Sequence, residues 1–207
     1  MGDMARRCFL MTGIGIAGIG APFAAALNAQ ELATSLDPAN LLRISAPSLH
    51  FLRGKPLERL KDGATVAFLG QVTLSLDANV TVAARAVARF AFSYDIWEER
   101  FSVTRFAVSR EETAARTASH LSPEAAEAWC LDRLRVETSP LPAGRPFWVR
   151  FELRVEDTRE SNLILGEPGI NLTRLIEIFS RPARAQQQRW QLDAGPLHLA
   201  DIRRVSS

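Results

Sequence analysis

Residues 66–94 read VAFLGQVTLSLDANVTVAARAVARFAFSY and contain two runs in which apolar and polar side chains alternate. A period of two indicates strands that bury one face, and the turn residues Ala78–Asn79 between the runs favour antiparallel pairing. The inward positions of the first strand are Val66, Phe68, Val72, Leu74 and Leu76. Those of the second strand are Val80, Val82, Ala84, Ala86, Ala88, Phe90, Phe92 and Tyr94. The opposite face of the second strand is expected to be wet and carries Thr81, Arg85, Arg89 and Ser93.

Three further segments predict strands. Residues 101–109, FSVTRFAVS, change the phase of their alternation, which a β-bulge near Arg105 would produce. Residues 147–157, FWVRFELRVED, alternate most regularly, and their polar positions are expected to face water: Arg150, Glu152, Arg154 and Glu156. A C-terminal pair of strands is expected at 190–193 and 197–202, joined by Ala194-Gly195-Pro196.

Helix signals are fewer. Ser122-Pro123-Glu124 combines a hydroxyl cap, a proline at the first helical position and an acid in the first turn. Weaker signals predict helices at 110–119, at 172–179 behind Asn171, and at 56–63. Because strand runs outnumber helices and follow one another, we expect a mainly β fold with accessory helices. The antiparallel sheet would be curled or paired as a sandwich, with two or three short helices.

Composition places the chain among globular proteins, since 47% of its 207 residues are hydrophobic and 23% are charged. We expect one β-rich domain over residues 30–207. A net charge of +2 and the absence of like-charge runs argue against nucleic acid as a partner. Residues 157–189 contain the one long polar interruption, and RPARAQQQRW at 181–190 is expected to be a mobile surface connection.

The first 29 residues have the composition of an export signal. Arg6-Arg7 precede an uncharged run over 8–29, and small residues allow cleavage after Ala26 or after Ala29. Arg6-Arg7-Cys8-Phe9-Leu10 also resembles the twin-arginine export motif, so both export routes stay open. The expected location is outside the cytoplasm, in the periplasm or secreted. The alternative is a membrane anchor formed by an uncleaved N-terminal helix.

Motifs for catalysis and for metal or cofactor binding are missing from the sequence. His50, His120 and His198 are widely separated, and none has zinc-ligand spacing or an HExxH partner. After removal of the signal Cys130 is the only cysteine, and it is expected to be a buried, inert thiol. We therefore predict no catalytic residues, no metal site, no cofactor and a non-enzymatic role.

Candidate interaction residues lie in FAFSYDIWEERFSV, residues 90–103, and on one neighbouring strand. Asp95 separates two alternating runs, which favours a hairpin turn, and the turn would display Tyr94, Trp97 and Arg100. Trp148 occupies the polar face of its strand, where an aromatic side chain often anchors an interface.

The stretches LKDGATVAFLGQVTL at 60–74, SYDIWEERFSV at 93–103 and GRPFWVRFELRV at 144–155 resemble a family of exported bacterial proteins of unknown function, DUF4390. The resemblance spans roughly residues 48–193. It implies an accessory role outside the cytoplasmic membrane, possible association with a membrane sensor kinase, and no transferable catalytic residues.

The first functional hypothesis is therefore an exported accessory or binding protein of the bacterial cell envelope, with an envelope or membrane protein as partner. The alternative is a carrier of lipid or of a small apolar ligand, in a cavity that the small side chains of Ala84, Ala86 and Ala88 would leave in the curled sheet. A hydrolase would return to consideration only if the fold brought an acid and a histidine together.

Overall fold

In the computed structural model the chain forms two antiparallel sheets and two α-helices over the described residues, which are 31–78, 81–106, 115–156, 176–177, 179–180 and 187–205. The strands are β1 Ala33–Leu36, β2 Leu41–Ser45, β3 Val66–Ser75, β4 Val82–Asp95, β5 Arg100–Phe106, β6 Arg116–Leu121, β7 Val136–Glu137, β8 Phe147–Val155 and β9 Arg189–Leu197. The helices are α1 Lys55–Lys61 and α2 Pro123–Asp132, and a 3₁₀ turn covers Leu199–Asp201. Ile176, Glu177, Phe179 and Ser180 are also helical.

The large sheet has the strand order β6-β5-β4-β3-β8-β9, and the small sheet has the order β1-β2-β7. Neither sheet closes on itself, and every strand pair within them is antiparallel. Apolar side chains from both sheets and from α2 belong to one continuous core. The predicted mainly β fold with accessory helices is confirmed. The short strands of the small sheet were not predicted.

The core is centred on aromatic rings from the inner face of the large sheet. Phe68 on β3 and Phe92 on β4 lie edge to face, with ring centroids 5.1 Å apart. The ring of Phe51, which precedes α1, packs against both of them, with ring centroids 5.1 Å from Phe68 and 5.9 Å from Phe92. All three side chains are fully buried. The alternation therefore identified the buried residues of β3 and those of β4 from Ala88 to Phe92, but Val82, which was also predicted to face inward, is exposed.

The opposite face of the large sheet is only partly the wet surface that was predicted, because Thr81, Arg85 and Ser93 are exposed but other charged residues are buried. Arg89, Glu152, Arg154 and Glu156 are each less than a tenth exposed. Arg89 Nε donates to Glu156 Oε2 over 2.8 Å, and Arg154 Nη2 lies 2.6 Å from Glu152 Oε1. The ring of Phe179 packs against the Arg154 guanidinium at 5.0 Å. Arg89 on β4 pairs with Glu156 just after β8, and Arg154 pairs with Glu152 within β8, which allows this face to be covered.

Two strand predictions are corrected. Residues 194–196 do not form a turn, because β9 continues through them beside β8 with a register shift between Phe147 and Val149. The predicted bulge near Arg105 is absent from the β4–β5 pairing, which is regular to Phe106. Phe106 lies on the opposite face of the sheet from Phe101 and Val103, as regular alternation requires. Its ring packs under the Arg89 guanidinium, which lies 4.8 Å from the ring centroid.

The helix predictions were partly right. α1 and α2 are confirmed, and Ser122 caps α2 by accepting from the amide of Ala125 over 3.2 Å. The helix predicted over 110–119 is wrong at 116–119, which belong to β6. Of the helix predicted over 172–179, the described residues Ile176, Glu177 and Phe179 are helical and the other five lie outside the described residues. The export signal and most of 157–189 also lie outside them. No helix within the described part of the chain is long and apolar enough to span a membrane.

Candidate functional site

A groove of about 740 Å³ lies between the small sheet, the segment that follows β2, and α2. Its apolar wall is formed by Ile44, Ala46, Pro47, Leu49, Ala125, Ala128, Trp129, Leu131 and Val205. Its polar lining comes from Ser35, Arg43, Ser45, His50, Glu124, Glu127 and Asp132. Small-molecule sites in proteins have this size and this mixture of an apolar wall with a few polar groups.

α2 supplies one side of the groove because its two faces differ. Ala126 and Cys130 are buried in the core, whereas Ala125 and Ala128 are exposed and line the groove. Trp129 is half-buried, and its ring meets the edge of Phe90 at 6.4 Å between centroids. The aromatic contact ties the groove wall to the core of the large sheet.

An acid and a histidine that line this groove contact each other. Glu127 is buried, its Oε1 accepts from the amide of Leu52 over 2.7 Å, and its Oε2 lies 3.1 Å from Nδ1 of His50. In the neutral imidazole Nδ1–H donates to the carboxylate, which leaves Nε2 as an acceptor. The sequence did not reveal this pair because the two residues lie 77 positions apart.

The guanidinium groups near the groove are engaged by carboxylates. Arg43 forms a direct ion pair with Asp132, whose other oxygen lies 3.5 Å from Nη2 of Arg135. Arg135 Nη1 in turn reaches Asp37 over 3.2 Å. Asp37 is fixed independently, because its Oδ1 accepts from the amides of Ala39 and Leu41 in the β1–β2 turn. This chain of pairs joins α2 to the small sheet.

Two titrating groups of α2 are shifted by their surroundings. The pKa of Glu124 is lowered by a backbone hydrogen bond and by the hydroxyl of Ser122, with smaller contributions from His50 and Arg53. The Glu124 side chain is exposed at the groove and is therefore ionised at neutral pH. Burial, and to a lesser degree the charge of Glu127, raises the pKa of the Cys130 thiol well above its ordinary value. Cys130 is free and buried, which agrees with the prediction of an inert thiol.

The predicted hairpin forms a second candidate site, the hairpin tip, which comprises residues 94–100. Asp95 Oδ1 accepts from the amides of Trp97 over 2.8 Å and of Glu98 over 3.0 Å, as the turn prediction required. Trp97 is 95% exposed and its neighbour Ile96 is 58% exposed. Tyr94 is half-buried, with its ring 4.9 Å from that of Phe101. Arg100 is exposed.

Trp148 does not belong to the hairpin tip. It pairs with Ser75 on β3, whereas the end of β4 that leads to the tip pairs with Val66. Nine residues of strand separate those ends, which corresponds to about 30 Å. Trp148 is half-buried and packs on Gly195, where an added Cβ would lie 2.6 Å from the indole Cδ1. Its position indicates a packing role.

The alanine positions predicted to border a cavity lie elsewhere. Ala88 is fully buried, and Ala84 and Ala86 pack against the main core. None of them lines the groove. Within the described residues no group of three or more His, Cys, Asp or Glu side chains is placed to hold a metal ion.

No protein-family model, no curated protein and no solved structure matches the chain.

Proposed function

We propose that the protein is an exported binding protein of the bacterial cell envelope that acts without catalysis and engages an envelope or membrane protein through the hairpin tip. The exposed indole of Trp97 is the observation that carries this proposal. Tryptophan is enriched among the residues that dominate protein–protein binding energy, and Trp97 adjoins a second exposed apolar residue, Ile96. The export-signal pattern of residues 1–29 and the family resemblance support the location and the accessory role.

The tip is held in a defined shape before any partner binds. Asp95 fixes two turn amides, and the Tyr94–Phe101 ring contact closes the hairpin below the turn. Glu98 Oε2 lies 2.7 Å from Nδ1 of His120, which connects the turn to β6. A pre-ordered tip loses little conformational entropy on binding, so the apolar contact of Trp97 contributes more of its energy to affinity.

The charge of the tip favours a protein over a membrane surface. Asp95, Glu98 and Glu99 provide three carboxylates against the single guanidinium of Arg100. Anionic lipid headgroups would repel such a tip. A protein pocket with an apolar floor and a basic rim is complementary to it. An envelope domain of a sensor kinase is one partner of this kind, as the family resemblance implies.

The test is site-specific photo-crosslinking in the native host. A photoreactive residue at position 97 is expected to capture one dominant membrane or envelope protein. The same residue at position 82, an apolar position 47% exposed at the far end of β4, serves as the control. Trp97→Ala should weaken the affinity of the purified partner by at least about thirtyfold, while Val82→Ala leaves it unchanged. Equal capture from both positions, or unchanged affinity for Trp97→Ala, would contradict the proposal.

A carrier of a small apolar ligand is the second candidate function, and the 740 Å³ groove is the observation that favours it. The groove lies between β2 and α2, so a ligand would contact these elements and not the alanines of β4.

A further inference from the structure

We propose that the groove binds a small molecule with an apolar body and a cationic, amine-type head. This inference rests on the second candidate function and is independent of the hairpin tip. The proposal specifies the charge of the ligand's polar head, which the apolar wall of the groove does not determine.

The apolar body follows from the shape and lining of the groove. Ile44 and Leu49 on one side face Ala125, Ala128 and the half-buried indole of Trp129 on the other. Exposed alanines on α2 leave space where larger side chains would fill the groove. Transfer of an apolar group from water to this wall is favourable by about 25 cal/mol per Å² of surface removed from water.

The cationic head follows from two polar groups of the groove lining, Glu124 and His50. Glu124 presents an exposed carboxylate at the first turn of α2. His50 also lines the groove, and in the neutral imidazole whose Nδ1–H donates to Glu127 its Nε2 is an acceptor. Both groups accept hydrogen bonds, so they are complementary to an ammonium group, which carries only donors.

An anionic head would find no complementary charge in the lining. Arg43 is the one Arg or Lys among the described lining residues, and it is paired with Asp132. The carboxylates of Glu124 and Glu127 would both repel an anion. The exposed Arg53 lies near enough to Glu124 to lower its pKa slightly but is not part of the lining.

Three ligands with the same alkyl chain test the head: octylamine, 1-octanol and octanoate, each titrated into the purified protein by isothermal titration calorimetry at neutral pH. Octylamine is expected to bind about tenfold more tightly than octanoate, with octanol between them. Glu124→Gln should weaken octylamine binding by about threefold and leave octanol binding unchanged. Glu58→Gln is the matched control, because Glu58 is an exposed acid in the first turn of α1 and lies outside the groove.

The place of binding is tested by filling the groove. Ala128→Phe should abolish the binding of all three ligands, whereas Ala143→Phe, at an exposed alanine outside the lining, should not. Far-ultraviolet circular dichroism checks that both variants are folded.

The outcomes distinguish the claim that the ligand has a cationic head from the claim that the groove is where it binds. Equal affinity for all three ligands, tighter binding of octanoate, or an unchanged affinity in Glu124→Gln would overturn the cationic head while the carrier function stands. No binding of any ligand, or binding that persists in Ala128→Phe, would overturn the groove as the binding site and the carrier function with it.

Discussion

At the scale of single residues, the buried charges on the outer face of the large sheet carry the clearest energetic consequence. The side chains of Arg89 and Glu156 are 6% and 0% exposed and lie 2.8 Å apart. Each has lost its hydration, so the pair is stable only while both charges are present. The Phe106 ring beneath the Arg89 guanidinium adds a cation–π contact.

We expect Arg89→Leu to lower the free energy of unfolding by about 3–5 kcal/mol, because it removes the Arg89 charge that lies 2.8 Å from the buried Glu156 carboxylate. The double variant Arg89→Leu/Glu156→Leu should recover most of that loss, since it buries no charge. Urea unfolding of the two single variants and the double variant measures the coupling. Additive losses across the cycle would show that the two side chains do not act as a pair.

Alternation along residues 147–157 predicted the strand β8 correctly but assigned Glu152, Arg154 and Glu156, which are buried, to water. A strand with a charged side chain at every second residue has the same sequence pattern whether those side chains face water or pair with other charges. The partner of Glu156 lies 67 positions away, on β4. Pairing of this kind depends on strand register, which a local pattern does not contain.

At the scale of elements, local signals succeeded where a cap or a turn residue defines the end. Ser122 begins α2 and Asp95 shapes the β4–β5 turn through hydrogen bonds that span only two or three residues. The local pattern that predicted a helix over 110–119 was wrong at 116–119, where β6 pairs with β5 at the edge of the large sheet. There the partner strand, and not the local propensity, determines the conformation.

We predict that Ser122→Ala lowers the free energy of unfolding by about 1 kcal/mol, because the amide of Ala125 loses its acceptor. It should also raise the pKa of Glu124, which the Ser122 hydroxyl helps to keep below its ordinary 4.5. A lowered pKa means that the folded state favours the ionised acid. The stability from Glu124 is therefore complete above pH 4.5 and is lost as the pH falls through the lower folded value.

The measurement is an NMR titration of the Glu124 side-chain carbon in both proteins, with Ser93→Ala, at an exposed strand serine, as the control. A Glu124 midpoint that is the same in Ser122→Ala and in the unchanged protein would rule out the cap as a cause of the shift.

At the scale of the whole molecule, the groove depends on features that the sequence does not display locally. β1 and β2 are four and five residues long, too short for alternation to distinguish them from loops. His50 and Glu127 meet only because α2 packs across the small sheet, with the ion pair between Arg43 and Asp132 holding it there. The acid–histidine pair that would return a hydrolase to consideration is thus present, but the polar groups around it favour binding of a cation.

The shared core predicts that the two sheets unfold together. Cys130 on α2 and Leu42 on the small sheet lie in the same core cluster as Phe68 of the large sheet. In a Cys8→Ser chain, where Cys130 is the only thiol, labelling of Cys130 should begin only at the urea concentration at which far-ultraviolet circular dichroism is lost.

Leu42→Ala should lower the urea midpoint of Cys130 labelling and that of circular dichroism equally, because it lowers the free energy of unfolding by about 2–5 kcal/mol. Val82→Ala, at an exposed position, should lower neither midpoint. Labelling of Cys130 while the circular dichroism of the large sheet persists would mean that the small sheet and α2 form a separate unit, and the groove would then open without global unfolding.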